Sequence, residues 1–323
     1  SCDSGRSVVF NLVCDPSAPV SNPPNGTVEE FPRCTYNIEW YHPAACGVDK
    51  PGAQCPTAAV PVPTADQLKY ITNEIMGLTH FNMATFVRDG DPACDSTNWN
   101  TGVNCSNPAV FNPVGLNVSN WVESYNAVGA KHAVLTAKHG CGFLIFDTAT
   151  TLPNGHEYGY GVMRQSVPSF GRNVAKEFVD TLTAAGLGTG FYYSTGNNYY
   201  LGTVHFNQLG KLLPGQVNVT MDEYNSIVFA HLQELWGQYG NFTEIWLDHG
   251  FAPSQQSRLQ EMLATLQPQT NAFNGFGVSP NPVKWCGTES GKPGYPLWST
   301  GCEQQHGDPT SSTFCPTGVD TEL

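Results

Sequence analysis

Basic residues are scarce in this sequence. Its 323 residues include 14 Lys and Arg against 27 Asp and Glu, which gives a formal net charge of −13. A protein that binds nucleic acid needs a basic face to displace counterions from phosphates, and binding to an anionic membrane surface makes a similar demand. The charge balance therefore argues against nucleic-acid partners and against attachment to a membrane surface.

Long apolar runs, paired metal-binding cysteines and glycine-rich nucleotide motifs are also missing. No apolar run of about 18 residues occurs, so the sequence predicts no transmembrane helix. No two cysteines have the C-x-x-C spacing, and no glycine fingerprint for a nucleotide follows a predicted strand. These absences argue against zinc-ribbon, thioredoxin-like, Rossmann and P-loop proteins, and we expect neither a cofactor nor a metal.

Eleven cysteines and five N-glycosylation sequons point to an oxidising compartment. Disulfide bonds explain these cysteines better than metal sites do, because the spacing of paired metal ligands is missing. The five sequons begin at Asn25, Asn104, Asn117, Asn218 and Asn241. We therefore expect a secreted, extracellular protein, with a lysosome-like compartment or the cell surface as alternatives. The chain starts inside a pattern, at Ser1-Cys2-Asp3, which suggests a mature or trimmed product.

The residue pattern changes along the chain and predicts two domains joined by a linker. Residues 1–50 form a small β-rich module with strands near 7–13 and 35–40, and residues 51–64 form a linker rich in Pro and Ala. In the domain at 65–323, strands alternate with amphipathic helices, which predicts a parallel sheet, open or closed into a barrel. The strands are expected at 75–80, 133–137, 188–194, 245–247 and from Gly277, and the helices at 116–128, 174–185, 222–239 and 254–266. Thr220 and Glu223 have the spacing of a capping box.

Polar side chains follow three of the predicted strands at the point where each strand ends. His80, His139 and Asp248 occupy these positions. The carboxyl ends of barrel strands converge on one face, where imidazoles and a carboxylate could bind a polyhydroxylated ligand or perform acid–base and nucleophilic chemistry. The alternatives are ordinary loop and helix-capping roles for each residue, and a zinc site, for which the spacing is not diagnostic.

Five segments of the larger domain resemble one enzyme family in order and in spacing. They read HFNMATF at 80–86, GAKHAVLTAKH at 129–139, GFYYS at 190–194, IWLD at 245–248 and VKWCGTESG at 283–291. Across residues 65–317 the sequence is similar to glycoside hydrolase family 29, the α-L-fucosidases. The resemblance implies an α/β fold with a (β/α)8-like barrel, and a secreted glycosidase that removes terminal fucose from glycans. One more strand and helix are expected after Leu323, so either the barrel is truncated or the sequence is part of a longer protein.

The resemblance also implies roles for individual residues. A retaining mechanism uses two carboxylates; Asp248 stands at the nucleophile position, and Glu289 matches the acid/base residue of one branch of the family. The implied substrate-binding residues are His80, His139, Tyr193 and Trp246. For Trp246 a place in the barrel core is an equal alternative. Fucosylated glycans are the implied partners, and the negative charge of the chain does not oppose the binding of neutral glycans.

One segment departs from the family pattern. Where the family commonly has Lys-His-His-Asp-Gly-Phe, residues 138–143 read Lys-His-Gly-Cys-Gly-Phe, so a second imidazole and a carboxylate are missing. Loss of a sugar-binding imidazole weakens binding by about 1–3 kcal/mol if its partner hydroxyl is left unpaired. The alternative function is therefore a catalytically inactive, fucosidase-like extracellular glycoprotein with a structural or carbohydrate-binding role.

Residues 1–50 resemble a different family, the mannose-6-phosphate-receptor homology domains, of which they match the second half. Arg6, Glu29 or Glu30, and Tyr36 fall near the sugar-contacting residues of that lectin fold. The alternative is a degenerate β module with no sugar site. If the first half of such a domain exists, it precedes Ser1, and association with flanking domains or with other extracellular chains is expected.

The cysteine positions suggest five disulfide bonds. The expected pairs are Cys2–Cys34, Cys14–Cys46, Cys94–Cys105, Cys302–Cys315 and Cys141–Cys286. The first two pairs follow from the lectin-domain resemblance, and the next two bracket loops of the larger domain. The fifth pair would tie together two loops that the fucosidase resemblance places at the active site. Cys55 remains, either free or bonded to a part of the protein outside this chain.

Overall fold

The computed structural model divides into two compact units, Ser1–Pro61 with Phe314–Gly318 and Val62–Thr313 with Val319–Leu323. Residues 63–86, 108, 111–163, 171–212 and 215–283 are described with their side chains. For the strands at 7–14, 26–30, 35–42, 300–301 and 320–321 only the backbone is described.

The first unit contains a three-stranded sheet. Its strands are β1 (Ser7–Cys14), β2 (Gly26–Glu30) and β3 (Thr35–His42), in the order β1-β3-β2. β1 runs parallel to β3 and β2 runs antiparallel to it. Strands are thus present at both positions predicted in this module, whereas the predicted pairs Cys2–Cys34 and Cys14–Cys46 lie outside the residues whose side chains are described.

The second unit alternates helices and strands. In chain order these are α1 (Ala65–Ile71), β4 (Met76–Thr79), α2 (Val118–Val128), β5 (His132–Lys138), α3 (Val174–Ala184), β6 (Gly188–Ser194), β7 (Thr203–Val204), β8 (Asn207–Gln208), α4 (Met221–Gln238), β9 (Glu244–Asp248), α5 (Gln256–Leu266), β10 (Asn271–Phe273), β11 (Pro282–Val283), β12 (Thr300–Gly301) and β13 (Asp320–Thr321). Each element predicted between 75 and 266 is present, with boundaries shifted by at most two residues. Among the helices that the structure describes, none is long and apolar enough to cross a membrane.

Six strands of this unit form a parallel sheet in the order β4-β5-β6-β9-β10-β11. Each of these strands pairs with the next one along the chain, and the hairpin β7-β8 stands apart. Helices α2, α3, α4 and α5 provide the crossovers between the first five of these strands, and a turn segment without a helix joins β10 to β11. The predicted α/β fold with a parallel sheet is confirmed. Over the described ranges the sheet keeps two edges, β4 and β11, so its closure into a barrel stays a prediction.

The two faces of this sheet carry different clusters because successive strand residues point to opposite sides. One face packs against the helices, and its core includes Leu135 of β5, Phe191 of β6 and Ile245 of β9. The opposite face, which we call the inner face, carries a smaller cluster: Val134, Tyr192, Trp246, Phe273 and Val283. Asp248 follows Trp246 by two residues on β9 and therefore lies on the inner face as well.

The prediction of a strand that begins at Gly277 is wrong. β10 and β11 lie on either side of this position, and the segment between them turns. Hydrogen bonds from the backbone N–H groups of Val278 and Ser279 to the Gly275 carbonyl close these turns at 3.1 and 2.9 Å. Gly277 has a φ of 71°, which does not fit an extended strand. Val278 is buried in the helix-facing core, so its apolar character reflects packing of a turn.

A capping box begins α4, as predicted. The Glu223 backbone N–H donates to Thr220 Oγ1 at 3.3 Å, and the Thr220 backbone N–H donates to Glu223 Oε2 at 2.7 Å. These bonds satisfy backbone donors that no carbonyl of the helix can reach. The helix that follows this cap buries Leu232 and Trp236 in the helix-facing core.

We expect Thr220→Ala to lower the free energy of unfolding by about 1 kcal/mol, because the side-chain cap is lost. Equilibrium urea unfolding measures the change. The substitution also removes the sequon at Asn218, so the matched control is Thr220→Asp, which removes the sequon but keeps a capping oxygen. Equal destabilisation by both variants would contradict the capping role.

Candidate active site

Three side chains predicted from the strand ends lie near one another at the carboxyl edge of the sheet. His80 follows β4, His139 follows β5 and Asp248 ends β9. The ring centroids of His80 and His139 are 5.4 Å apart, and His139 acts electrostatically on the Asp248 carboxylate. Parallel strands bring their carboxyl ends to one edge of a sheet, which explains why residues far apart in the sequence meet here.

Tyr192 stands at the centre of this group. Its hydroxyl donates to Asp248 Oδ2 at 2.5 Å. Its ring centroid lies 5.5 Å from that of His80 and 5.9 Å from that of His139. One phenol thus contacts the carboxylate and both imidazoles, so Tyr192 belongs to the candidate site although the sequence did not single it out.

Tyr193, which was predicted as a pocket residue, lies on the other face of the sheet. Consecutive residues of β6 point to opposite sides, so the inner face receives Tyr192 and the helix-facing core receives Tyr193. The Tyr193 hydroxyl lies 2.8 Å from Nδ1 of His231 on α4, and the side chain is buried. The structure therefore does not bring Tyr193 to Asp248, and Tyr192 is the tyrosine that contacts this carboxylate.

Trp246 lies on the inner face in the small cluster below Asp248. Its ring stacks on Phe273 with centroids 4.1 Å apart, and its centroid lies 6.0 Å from that of Tyr192. With 8% of its surface exposed, Trp246 is a core residue that also borders the site. This position fits the barrel-core alternative at least as well as the predicted pocket wall.

The surroundings of Asp248 favour its ionised form. Burial by itself raises the pKa of this carboxyl, but the hydrogen bond of His249, the hydrogen bond from Tyr192 and the charge that His249 and His139 carry when protonated hold the pKa below its usual value. The His249 contact joins Nδ1 to Asp248 Oδ2 at 3.0 Å. Asp248 is therefore a carboxylate at neutral pH, which is the form required of a nucleophile.

Lys138 ties the end of β5 to the segment after β6. Its ammonium group, which is fully buried, donates to the carbonyl of Ser194 and to that of Asn197, the latter at 2.6 Å. Burial lowers the pKa of Lys138 to about 7, and the charges of Cys141 and Asp248 act in the opposite direction. Lys138 thus supports the loop that borders Asp248 and adds to the positive field around the carboxylate.

The unusual segment 138–143 is closely packed against residues 198–200. The backbone N–H of Tyr199 donates to the Gly140 carbonyl at 2.7 Å. Gly142 has a φ of 88°, and a Cβ atom there would lie 2.2 Å from Asn198 Oδ1. Only glycine fits this close approach without a shift. Gly140, which departs from the family pattern, and Gly142, which matches it, therefore both lie in close contact with residues 198–200.

Two further residues near Asp248 were missed by sequence reasoning. His249 follows the carboxylate directly, and Asn197 lies in the loop after β6 with its amide nitrogen 3.3 Å from His249 Nε2. The Asp-His-Gly word at 248–250 was the available signal for His249. Asn197 gives no periodic signal, because it reaches the site from an irregular loop.

Several predicted residues lie outside the described part of the chain. These are Glu289, Asn25, Asn104 and at least one cysteine of every predicted disulfide pair. The other sequon residues, Asn117, Asn218 and Asn241, are exposed. In the described ranges no group of three or more His, Cys, Asp or Glu residues is arranged to hold a metal ion.

Comparison with known proteins identifies the family. The sequence profile named Alpha-L-fucosidase matches residues 93–282. α-L-Fucosidase 1 of Arabidopsis thaliana is 28% identical over 250 residues, which cover 76% of this chain and 42% of that protein. A candidate α-L-fucosidase 1 of Oryza sativa subsp. japonica is 27% identical over 252 residues and is covered to 41%. The chain thus spans about two fifths of the length of the curated relatives it matches.

Solved structures agree with this match. The crystal structure of a candidate α-L-fucosidase from Bacteroides thetaiotaomicron superposes with a TM-score of 0.60 at 25% identity, over 76% of this chain and 48% of that one. Unliganded α-L-fucosidase AlfC from Lactobacillus casei, at 16% identity, shares the fold with a TM-score of 0.51 over 64% of this chain and 69% of that one. None of these matches supports the lectin-domain resemblance of residues 1–50. Because the profile covers more than half of the chain and includes Tyr192 and Asp248, the protein belongs to the α-L-fucosidase family of glycosidases.

Proposed function

We propose that this chain carries the catalytic region of an α-L-fucosidase that removes terminal fucose from glycans by a retaining mechanism. The observation that carries the proposal is the Asp248 carboxylate, held ionised at the carboxyl edge of the sheet by Tyr192 and His249. A carboxylate of this kind can attack an anomeric carbon.

The two hydrogen bonds to Asp248 also select its attacking oxygen. Tyr192 Oη and His249 Nδ1 both contact Oδ2. Oδ1 has no hydrogen bond to any residue within the described ranges. Oδ1 is therefore the oxygen we expect to form the bond to fucose, while Oδ2 stays anchored.

The reaction requires a second carboxyl group, which we assign to Glu289 from the family resemblance. In the first step Asp248 bonds to the anomeric carbon, and Glu289 gives its proton to the departing oxygen. In the second step Glu289 takes a proton from water, which displaces Asp248 and releases fucose with its configuration retained. His80 and His139 lie beside Tyr192 and can hydrogen-bond the sugar hydroxyls.

A second candidate function is a catalytically inactive member of the family with a structural or carbohydrate-binding role. The segment 138–143 supports it, because the second imidazole and the carboxylate of the family pattern are replaced by a glycine and by Cys141. The intact surroundings of Asp248 favour the enzyme. The same activity assay decides between the two functions.

We also infer that the protein is extracellular. The three sequon asparagines that the structure describes, Asn117, Asn218 and Asn241, are all exposed and so are accessible to glycosylation. The Asn117 side-chain oxygen caps α2 through Ser119 N at 3.0 Å, and a glycan on the nitrogen would leave this bond in place. Mass spectrometry of the secreted protein tests occupancy at each site.

We expect Asp248→Gly to reduce hydrolysis of an aryl α-L-fucoside by the full-length protein on the order of 10³-fold or more, because the nucleophile is lost. Added azide should then restore turnover and yield β-L-fucosyl azide, since the small anion enters from the face that the carboxylate occupied. No turnover by the parent protein would refute the enzyme proposal and favour the inactive relative. Equal turnover by both proteins would exclude Asp248 as the nucleophile.

We expect Tyr192→Phe to reduce kcat/KM roughly 10- to 100-fold, because a hydrogen bond to a charged group is lost. That bond lowers the pKa of Asp248, so its removal raises this pKa and moves the acid limb of the pH profile to higher pH. The matched control is Tyr193→Phe, which loses the contact with His231 and should reduce stability while keeping the profile. A shifted profile in the control, with none in Tyr192→Phe, would contradict the assignment of the two faces.

A further inference from the structure

Two side chains, Asn197 and His249, link the tip of the hairpin β7-β8 to the Asp248 carboxylate. The backbone N–H of His205, at the tip, donates to Asn197 Oδ1 at 2.7 Å. Asn197 Nδ2 lies 3.3 Å from His249 Nε2, and His249 Nδ1 lies 3.0 Å from Asp248 Oδ2. These contacts form a continuous chain from the hairpin to the proposed nucleophile.

The first contact fixes the orientation of the Asn197 amide. A backbone N–H can only donate, so the atom that faces His205 must be the amide oxygen. The amide nitrogen then faces His249, and it too can only donate. His249 Nε2 must therefore accept a hydrogen bond, which means that this ring nitrogen carries no proton.

The proton of the neutral imidazole consequently lies on Nδ1, the atom that faces Asp248. We propose that Asn197 and His249 are positioning residues of the active site, and that Asn197 fixes the Nδ1–H tautomer of His249 so that the ring anchors Asp248 Oδ2. This inference rests on the proposed function only for its effect on catalysis. The tautomer itself can be measured without any activity.

The backbone around this chain of contacts is held in unfavourable conformations. His205, Phe206 and His249 have φ values of 45°, 56° and 69°, in the left-handed region that favours glycine. The Phe206 backbone N–H donates to the Gly196 carbonyl at 2.9 Å, and a Cβ atom at Gly196 would lie 2.8 Å from His249 Cβ. Such conformations persist where neighbouring contacts impose them, and they cluster at functional sites.

Other titratable groups face the same carboxylate and must be separated from His249 in any pH experiment. Asp248 is faced by Tyr192 from β6 and by His139 and Lys138 from the end of β5. The His205 ring lies 5.0 Å from the His249 ring between centroids. None of these groups contacts Asn197 through its side-chain amide, so a change of that amide acts on His249 first.

The discriminating variant is Asn197→Asp. The new carboxylate can still accept from His205 N–H, but it can only accept at His249 Nε2, so it favours the doubly protonated imidazolium. A cationic His249 stabilises the negative charge of the Asp248 carboxylate, which makes this carboxylate a weaker nucleophile toward the anomeric carbon. We expect kcat/KM for an aryl α-L-fucoside to fall at neutral pH and its acid limb to move to lower pH by about one unit, because a cationic neighbour lowers the pKa of Asp248.

The matched control is Asn154→Asp. Asn154 is exposed, and its Oδ1 accepts the backbone N–H of His156 at 3.0 Å, as Asn197 does for His205. It therefore repeats the local contact without the link to Asp248. Its pH profile should coincide with that of the parent protein. An Asn197→Asp profile that coincides with both would overturn the proposal.

Nitrogen-15 NMR of histidine-labelled protein reads the tautomer directly. His249→Gln identifies the ring signals by their disappearance, and in the parent protein we expect the neutral ring to carry its proton on Nδ1 and none on Nε2. A signal from the Nε2–H tautomer would overturn the proposal even if the enzyme is active. If the parent protein has no turnover, the proposed function fails, and the NMR result still decides the role of Asn197.

Discussion

The pairing of β6 with β9 is the constraint on which the rest of the site depends. Gly190 lies opposite Glu244, and a Cβ atom there would be 2.4 Å from the Glu244 carbonyl oxygen, so the close approach of the strands requires glycine. The same register places Tyr192 opposite Trp246 and Ser194 opposite Asp248. If β6 shifted by one residue along β9, Tyr193 would point to the inner face in place of Tyr192. Asp248 would then lose the phenol hydroxyl that donates to it.

Much of the fold and part of the site follow from local pattern. Strand and helix periodicity fix the order of elements from β4 to α5, and parallel strands send their carboxyl ends to one edge, which brings His80 and His139 to Asp248. Which of Tyr192 and Tyr193 faces Asp248 depends on the register between β6 and β9. That register is set by side-chain packing across the strands, which a single sequence does not show. The turn at Gly277 and Val278 was misjudged because a buried valine carries the same apolar signal in a turn as in a strand.

The surroundings of Asp248 are locally positive, although the protein as a whole carries a strongly negative net charge. The chain carries a net charge of −13, yet an imidazole on either side and the buried ammonium of Lys138 surround Asp248. Short distances decide this balance, because distant surface carboxylates are screened by water and salt whereas partly buried groups in contact are screened much less. Lys138 and His139 come from the end of β5, where the strand pattern reveals His139, whereas His249 follows β9 and gives no periodic signal.

The contact between segment 138–143 and residues 198–200 has an evolutionary consequence. Gly142 cannot accept a side chain while Asn198 Oδ1 occupies the adjacent space, and the Asn198 amide in turn donates to the Tyr158 hydroxyl at 3.0 Å. Substitutions at 142 and 198 are therefore coupled, and each position restricts what the other can become. A lineage in which Gly142 acquired a side chain would also have to change Asn198, so the two facing loops evolve as a unit.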